Sequence, residues 1–345
     1  MTFSQIILDW YAIHQRDLPW RSSRDPYKIW LSEIILQQTR MAQGVPYYDR
    51  FLEAFPTVFE LAAAQEGQVL KLWQGLGYYS RARNLHATAR TIVSRYNGRF
   101  PESYEGLKSL KGVGDYTASA IGSICFGLPL PVVDGNVYRV LSRYFGVCLS
   151  IDSGPGVRAF KKLAAEVMDP RNVRDYNQGI MEFGAIQCVP QSPDCGNCPL
   201  AGGCKALKDD LVDTLPVKKG PARPKARYFN YLVLLDPKGR TLLEERKGPG
   251  IWRHLYEFPL IESERILGAG ELETRLLSES RLPALDSLSL YNEVPIVHKL
   301  SHQHLHTRFW VGITPVGLNK GTPWGALDGF PVPVLIAEFI KTFKI

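Results

Sequence analysis

Four of the six cysteines, Cys188, Cys195, Cys198 and Cys204, fall within seventeen residues in the spacing C-x6-C-x2-C-x5-C. Four thiols on so short a segment can wrap one centre but cannot serve two, so this stretch is predicted to close around a single metal site. A disulfide framework is the competing explanation, and it suits a secreted chain. The opening run Met1-Thr2-Phe3-Ser4-Gln5-Ile6-Ile7-Leu8-Asp9-Trp10 has no basic region and soon meets an acid, unlike a secretory signal. No apolar run approaches the roughly 18 residues that cross a bilayer. The expected setting is a bacterial cytoplasm, where thiols stay reduced. The spacing leaves two metals open. Zinc sites with four cysteines usually show two C-x2-C pairs, and one is present here; an iron–sulfur cluster on four thiolates fits equally. Cys125 and Cys148 lie in apolar stretches and read as core fillers.

With 345 residues the chain is about twice the length of an ordinary domain. Its 45% hydrophobic and 22% charged residues exclude a largely disordered chain. Residues 1–217 carry 23 basic and 21 acidic side chains, and residues 228–345 carry 13 of each. Most of the net charge of +7 therefore lies in 218–227, on Lys218, Lys219, Arg223, Lys225 and Arg227. The same region, 215–224, holds three prolines. Each removes a donor and fixes the backbone, so neither helix nor central strand should run through it. We expect a first domain over 1–216, a basic linker over 217–227 and a second domain over 228–345.

Upstream of the linker the apolar spacing is helical. Asp25-Pro26 offers an N-cap and a first-turn proline, followed by Ile29, Trp30, Glu33, Ile34 and Gln37 at helical intervals. Similar periodicity recurs at about 44–55, 66–73, 79–96, 115–127, 135–146, 156–168 and 174–187. Downstream, Tyr228 to Leu235 is β-rich, Asp236-Pro237-Lys238-Gly239 reads as a turn, and Arg240 to Glu245 is predicted to return as a hairpin partner. The pattern implies an all-α domain followed by a smaller α/β one.

Within the helical part, Leu107-Lys108-Ser109-Leu110-Lys111-Gly112-Val113-Gly114-Asp115-Tyr116 joins a short helix to a longer one through a G-V-G turn. Gly112 and Gly114 permit close backbone approach, and the free amides of the next helix favour an anion such as phosphate. Lys111 sits where it can add a charge. About twenty residues on comes Val133-Asp134-Gly135-Asn136-Val137. Together with the cysteine loop, with Trp30-Leu31-Ser32-Glu33-Ile34-Ile35-Leu36-Gln37-Gln38-Thr39 and with Gly75-Leu76-Gly77-Tyr78-Tyr79-Ser80-Arg81-Ala82-Arg83, these motifs stand in the order of a known family. The first 210 or so residues resemble the helix-hairpin-helix DNA glycosylase superfamily, in the branch that carries a 4Fe–4S cluster, and within it the adenine DNA glycosylase (MutY) family.

The resemblance implies a base-excision enzyme. Its substrate would be double-stranded DNA holding adenine opposite 8-oxoguanine or guanine, and it would act as a monomer on the nucleoid. The cluster would sit on Cys188, Cys195, Cys198 and Cys204. Bifunctional relatives have a lysine after the position of Asp115, which attacks the sugar as an imine-forming amine. This chain has Tyr116, whose phenol cannot form an imine, so strand cleavage is not expected. Glu33, with Ile29, Trp30, Leu36 and Gln37 three and four residues away, is placed to be desolvated and kept protonated, as a general acid must be. Asp134 suits an ionised carboxylate beside an oxocarbenium-like sugar. The family assigns the same roles at these positions. By resemblance, Tyr116 and Asn136 orient the catalytic groups and Arg21 and Gln178 line the base pocket. Gln38 and Tyr78 wedge into the stack, with Thr39, Lys111, Gly112 and Gly114 also on the DNA.

Residues 228–345 resemble the Nudix-like domain that follows the linker in this family. The catalytic R-E-x-x-E-E box is missing, and Glu244-Glu245 stands alone, so binding rather than hydrolysis is expected. His298-Lys299-Leu300-Ser301-His302-Gln303-His304-Leu305 matches the loop that reads 8-oxoguanine, with Ser301 as hydrogen-bonding group, His302 beside it and Leu300 in place of the usual phenylalanine. His298, His302, His304 and His306 on one strand face would be a minor zinc alternative. Two other functions compete. A glycosylase for another base, such as mispaired thymine, is opposed by Glu33 and the second domain. A DNA-damage sensor without turnover is opposed by the intact Glu33 and Asp134.

Overall fold

The computed structural model describes residues 1–220, 223–278 and 282–345. Pro221 and Ala222 of the expected linker lie outside the described residues. The chain forms two compact units, Met1–Ala63 with Asn84–Gly220, and Ala64–Arg83 with Pro221–Ile345. The unit boundary at Gly220 falls inside the basic, proline-rich stretch.

The first unit is helical. Before its hairpin come α1 (Phe3–His14), α2 (Pro26–Leu36), α3 (Met41–Ala54) and α4 (Val58–Ala63). Next in the chain are α5 (Glu66–Leu72), in the second unit, and α6 (Ser80–Tyr96). Then follow α7 (Tyr104–Lys108), α8 (Asp115–Phe126), α9 (Gly135–Phe145), α10 (Gly154–Val167), α11 (Val173–Ile186) and the short α12 (Lys205–Lys208). The predicted start of α2 is present: Asp25 accepts from Tyr27 N at 2.9 Å and Pro26 occupies the first turn. Every residue of α8 from Thr117 to Ile124 is buried, because α2, α7 and α11 pack around it. It ends on Gly127 and α9 ends on Gly146, both left-handed, where glycine stops a helix at least cost.

The second unit is built on a mixed sheet. β1 (Lys225–Leu235) pairs in parallel along its whole length with β8 (Gln303–Ile313), from Lys225↔Gln303 to Leu235↔Ile313. Between them in the chain lie β2 (Arg240–Thr241), β3 (Glu244–Glu245), β4 (Tyr256–Glu257), β5 (Leu260–Ser263), α13 (Ala269–Ser278), β6 (Ser287–Leu290) and β7 (Ile296–Lys299); β9 (Thr322–Pro323) and α14 (Val334–Thr342) follow. The sheet order is β5-β1-β8-β6, with β7 also on β8. Both faces are covered. Leu232, Leu234 and Trp310 pack toward Leu272 of α13, while Phe309 on the opposite face stacks on Phe339 of α14 at 4.0 Å. Burial on both sides explains why 231–235 reads as an unbroken apolar run rather than an alternating one.

Three expectations need correction. Arg240–Glu245 does not return along β1, whose edges are taken by β8 and β5. Instead the Asp236 carboxylate gathers the amides of Lys238, Arg240 and Leu318 and the Arg240 guanidinium, so the chain turns away after one bond back to Asp236. Cys148 is exposed, two residues past the helix-ending Gly146, whereas Cys125 is partly buried and its thiol is pushed up to about 12 by that burial. His298 pairs with Leu305 and so lies on the other face from His304 and His306. His306 stacks on Tyr228. Among the described residues no helix is long and apolar enough to cross a membrane.

Candidate active site

The hairpin between α7 and α8 is fixed by its glycines. Gly112 has φ +80, and a Cβ there would lie 2.8 Å from Asn84 Cβ. Gly114 caps α8 without a side-chain bond, leaving the first-turn amides of a well-packed helix free of any capping oxygen. Asp115 anchors the turn: its carboxylate accepts from Lys108 at 2.6 Å, from Tyr104 Oη at 2.9 Å and from Lys161. Those hydrogen bonds, Lys108's first, hold it well below the usual carboxylate range. Lys111 is exposed, its carbonyl taken by Thr88 Oγ1 at 2.7 Å.

Beside this hairpin opens a cavity of about 890 Å³ in the first unit. Ten of the residues singled out above line it: Arg21, Glu33, Gln38, Thr39, Gly112, Gly114, Tyr116, Asp134, Asn136 and Gln178. Glu33 comes from the second half of α2. Burial raises its carboxyl to about 7, and the charge of Asp134 adds to this while a hydrogen bond from Tyr116 opposes it. The Tyr116 phenol lies well above its ordinary value because of the same burial and the two carboxylates, and its hydroxyl also reaches Met181 Sδ at 3.3 Å. Asp134 caps α9. Its Oδ1 accepts from the amides of Asn136 at 2.9 Å and Val137 at 2.8 Å, and its Oδ2 from Asn136 Nδ2 at 2.8 Å. Burial pushes this carboxyl up, and those bonds oppose the rise without cancelling it. One carboxyl of the pair thus has donors for its charge and the other has an environment that keeps its proton, the division of labour that acid and charge stabiliser require. Gln38 is exposed with φ 55, a left-handed conformation uncommon for a residue with a side chain.

A buried chain of polar contacts runs from Asp134 along α9. Arg139 Nη2 donates to Asn136 Oδ1 at 3.0 Å and to Gly184 O at 2.5 Å, and its Nε donates to Cys188 O at 2.7 Å. The close approach depends on Gly184, where a Cβ would sit 2.7 Å from Asn136 Cβ. One turn further, Arg143 contacts Cys188 Sγ at 3.5 Å and the carbonyls of Val189 and Pro190 at 2.8 and 3.0 Å. Cys188, Cys195, Cys198 and Cys204 line one small cavity, and none is in a disulfide. Among the described residues no three His, Cys, Asp or Glu groups are placed to hold a single ion. Four thiols around one small cavity are a donor set that a single metal centre could use.

The profile of the HhH-GPD superfamily of base excision DNA repair proteins matches residues 31–154, and that of the iron–sulfur binding domain of endonuclease III matches residues 188–204. A NUDIX domain profile matches 230–342. An adenine DNA glycosylase of Buchnera aphidicola subsp. Baizongia pistaciae is 34% identical over 358 residues, covering 100% of this chain and 98% of the relative. The chain belongs to the adenine DNA glycosylase family. A human adenine DNA glycosylase is 42% identical, covering 99% of this chain and 73% of its own. Among solved structures, a thermostable thymine-DNA glycosylase aligns with a TM-score of 0.56 at 32% identity, covering 60% of this chain and 95% of that one. A non-covalent endonuclease III–DNA complex gives 0.52 at 27%, covering 61% and 99%. The chain is a DNA glycosylase with a 4Fe–4S loop, acting on DNA.

In this glycosylase three further predicted residues lie in the second unit. Tyr78, Ser301 and His302 line a cavity of about 470 Å³ together with Arg83, Trp252 and Leu300. Tyr78 is 46% exposed with φ 44, while Tyr79 is buried, so the tyrosine pair divides into a projecting ring and a core ring. Ser301 Oγ and His302 Nδ1 are 3.3 Å apart and exposed. Lys111 and the four cysteines stand apart from both cavities. The sequence reading missed Arg16, Arg139, Met181 and Glu182. A signal existed for the last: Glu182 follows Gln178 at the four-residue interval that places both on one helix face.

Proposed function

We propose that the chain is a monofunctional glycosylase that hydrolyses the N-glycosidic bond of adenine mispaired with 8-oxoguanine or guanine and leaves an abasic site. The observation that carries this is Glu33, raised to about 7 beside a hydrogen-bonded Asp134 in a cavity large enough for a purine. The adenine swings out of the duplex into the cavity. Glu33 gives its proton to the leaving base as the bond to the sugar breaks, and Asp134 stabilises the cationic sugar. Water then adds to the anomeric carbon and its released proton restores Glu33. Tyr116 and Asn136 hold the two carboxyl groups, and Arg21 and Gln178 bound the base. Gly112, Gly114 and Lys111 take backbone phosphate, Gln38, Thr39 and Tyr78 enter or flank the stack, and Ser301 with His302 meets the oxidised guanine. When bound on its four cysteines, the cluster fastens the 188–204 loop through iron–thiolate bonds. Action as a monomer follows the family resemblance alone, and the domains are read as 1–216 and 228–345 with a linker between.

Single-turnover cleavage of a labelled duplex with adenine opposite 8-oxoguanine tests this, with samples taken before and after alkali. Strand breaks only after alkali are expected. Breaks before alkali would overturn the monofunctional reading, and no breaks in either sample would overturn the choice of base. Tyr116 adds a second check. Tyr116→Lys places an amine beside the sugar and is expected to give a borohydride-trapped complex with the abasic product, which the parent chain does not. An untrapped variant that still binds the product would mean that position 116 is not at the sugar.

A further inference from the structure

Tyr78 projects from a stretch of backbone that is hard to hold. Gly75 (φ 104), Gly77 (φ 69) and Tyr78 (φ 44) all have positive φ. The two glycines adopt it freely, and for the same reason they leave the turn many alternatives. Tyr78 carries a side chain and adopts it at a cost, so the conformation persists only where its surroundings fix it. The core does not enclose the ring, which is exposed.

Arg81, in the first turn of α6 and in the same unit, reaches back to this stretch. Its Nη2 donates to Leu76 O at 3.2 Å and to Gly77 O at 3.4 Å. Its guanidinium carbon lies 5.7 Å from the centre of the Tyr78 ring and 5.0 Å from that of Trp73, a fully buried side chain. Trp73 Nε1 donates in turn to Gly77 O at 2.9 Å. One cation therefore ties the projecting ring and the carbonyls before it to a ring of the core. Burial lowers the guanidinium to about 10 and Tyr78 opposes the fall, so the charge is kept at neutral pH. A planar fork can serve carbonyls with its edge while its face lies on aromatic rings, which the point charge of a lysine cannot do.

We infer that Arg81 is a positioning residue that holds Tyr78 in its left-handed, projecting conformation, so that the ring enters the base stack already oriented. This rests on the reading of Tyr78 as a wedge. Arg81 touches no reacting atom. It acts before the chemistry, by removing the ordering of the turn from what must be achieved on the DNA.

The test uses the full chain with its cluster and two duplexes. In one, 2-aminopurine, an adenine analogue whose fluorescence rises as it leaves the stack, stands opposite 8-oxoguanine; in the other, a tetrahydrofuran abasic analogue takes the place of the adenine. Arg81→Lys is expected to slow the fluorescence rise at least about fivefold. Binding of the abasic duplex, where no base has to leave, should stay within about twofold. Tyr78→Ala is expected to slow the rise at least about as much, and Arg81→Lys added to it to cost nothing more, because the arginine acts through the ring. An arginine that merely supports the fold would carry its loss into the Tyr78→Ala chain. Unstacking at the parent rate in Arg81→Lys, equal losses in unstacking and in abasic binding, or multiplicative losses in the double variant would each overturn the inference and leave the wedge standing. Where Arg81→Lys does not fold, Arg81→Gln keeps a donor for the carbonyls without the charge and is judged by the same criteria. A Tyr78→Ala chain that unstacks at the parent rate would instead bring down the wedge reading, and the inference with it.

Discussion

Glu33→Gln is expected to bind a duplex with adenine opposite 8-oxoguanine as tightly as the parent chain and to release adenine roughly 10²–10⁴-fold more slowly. The amide keeps the shape and loses the proton that the leaving base needs. The pH dependence has a definite sign. With the Glu33 carboxyl at about 7, the parent rate should hold below that pH and fall about tenfold per unit above it as the acid ionises. The residual rate of the variant should not follow that curve. Stability moves in the same direction. The folded value lies above the ordinary 4.5, so the unfolded chain loses this proton first. The contribution is full below about 4.5 and is lost as pH rises through about 7. Glu33→Gln should therefore melt higher than the parent at pH 8, with the difference closing toward pH 4. Thermal melts across pH and single-turnover rates check both halves. A variant that excises at the parent rate would remove Glu33 from the acid role, and one that gains no stability at pH 8 would remove the buried charge that the role needs.

Groups set by local spacing were readable in the sequence, and groups set by packing were not. The cap at Asp25, the glycine turn before α8 and the four-thiol loop are each specified by neighbours within a few residues, and each is present as read. The second domain was readable for a related reason, since a run buried on both faces keeps its apolar signature whatever lies above it. The segment Ala64–Arg83 shows the opposite case. Its helical periodicity is legible, yet periodicity does not say which core a helix joins, and the segment groups with the second unit. Lys71 Nζ donates to Phe330 O at 3.2 Å and Arg83 Nη1 to Arg253 O at 2.8 Å, contacts more than 160 residues apart. Arg139 was invisible in the same way. Nothing near it in sequence tells that its guanidinium will serve Asn136, Gly184 and Cys188 together. The hairpin expected after β1 does not form because turn residues at 236–239 specify a turn and not a partner, and both edges of β1 are occupied by β5 and β8.

Asp134 is a helix cap by geometry and a catalytic group by proposal, and one substitution separates the two. Asparagine caps helices about as well as aspartate, so Asp134→Asn should keep α9 in place while removing the charge. The replacement is not free. Oδ1 accepts from two backbone amides and Oδ2 from Asn136 Nδ2, so either orientation of the new amide sets a donor against a donor. Losing one such bond costs about 1 kcal/mol. Rotation of Asn136 does not repair it, because Asn136 Oδ1 is held by Arg139. A modest drop in stability is therefore expected. The drop in rate should be much larger, at least about a hundredfold, as when a preorganised charge facing a transition state is removed; that factor corresponds to about 2.7 kcal/mol. Comparison of the two quantities decides the role. A rate loss well beyond the stability loss, with binding of the abasic duplex retained, places the carboxylate at the cationic sugar. Equal losses would leave Asp134 as a cap and shift the stabilising charge elsewhere in the cavity. Asp134→Ala serves as the control, since it removes cap and charge together and should lose stability further, with little additional loss of rate.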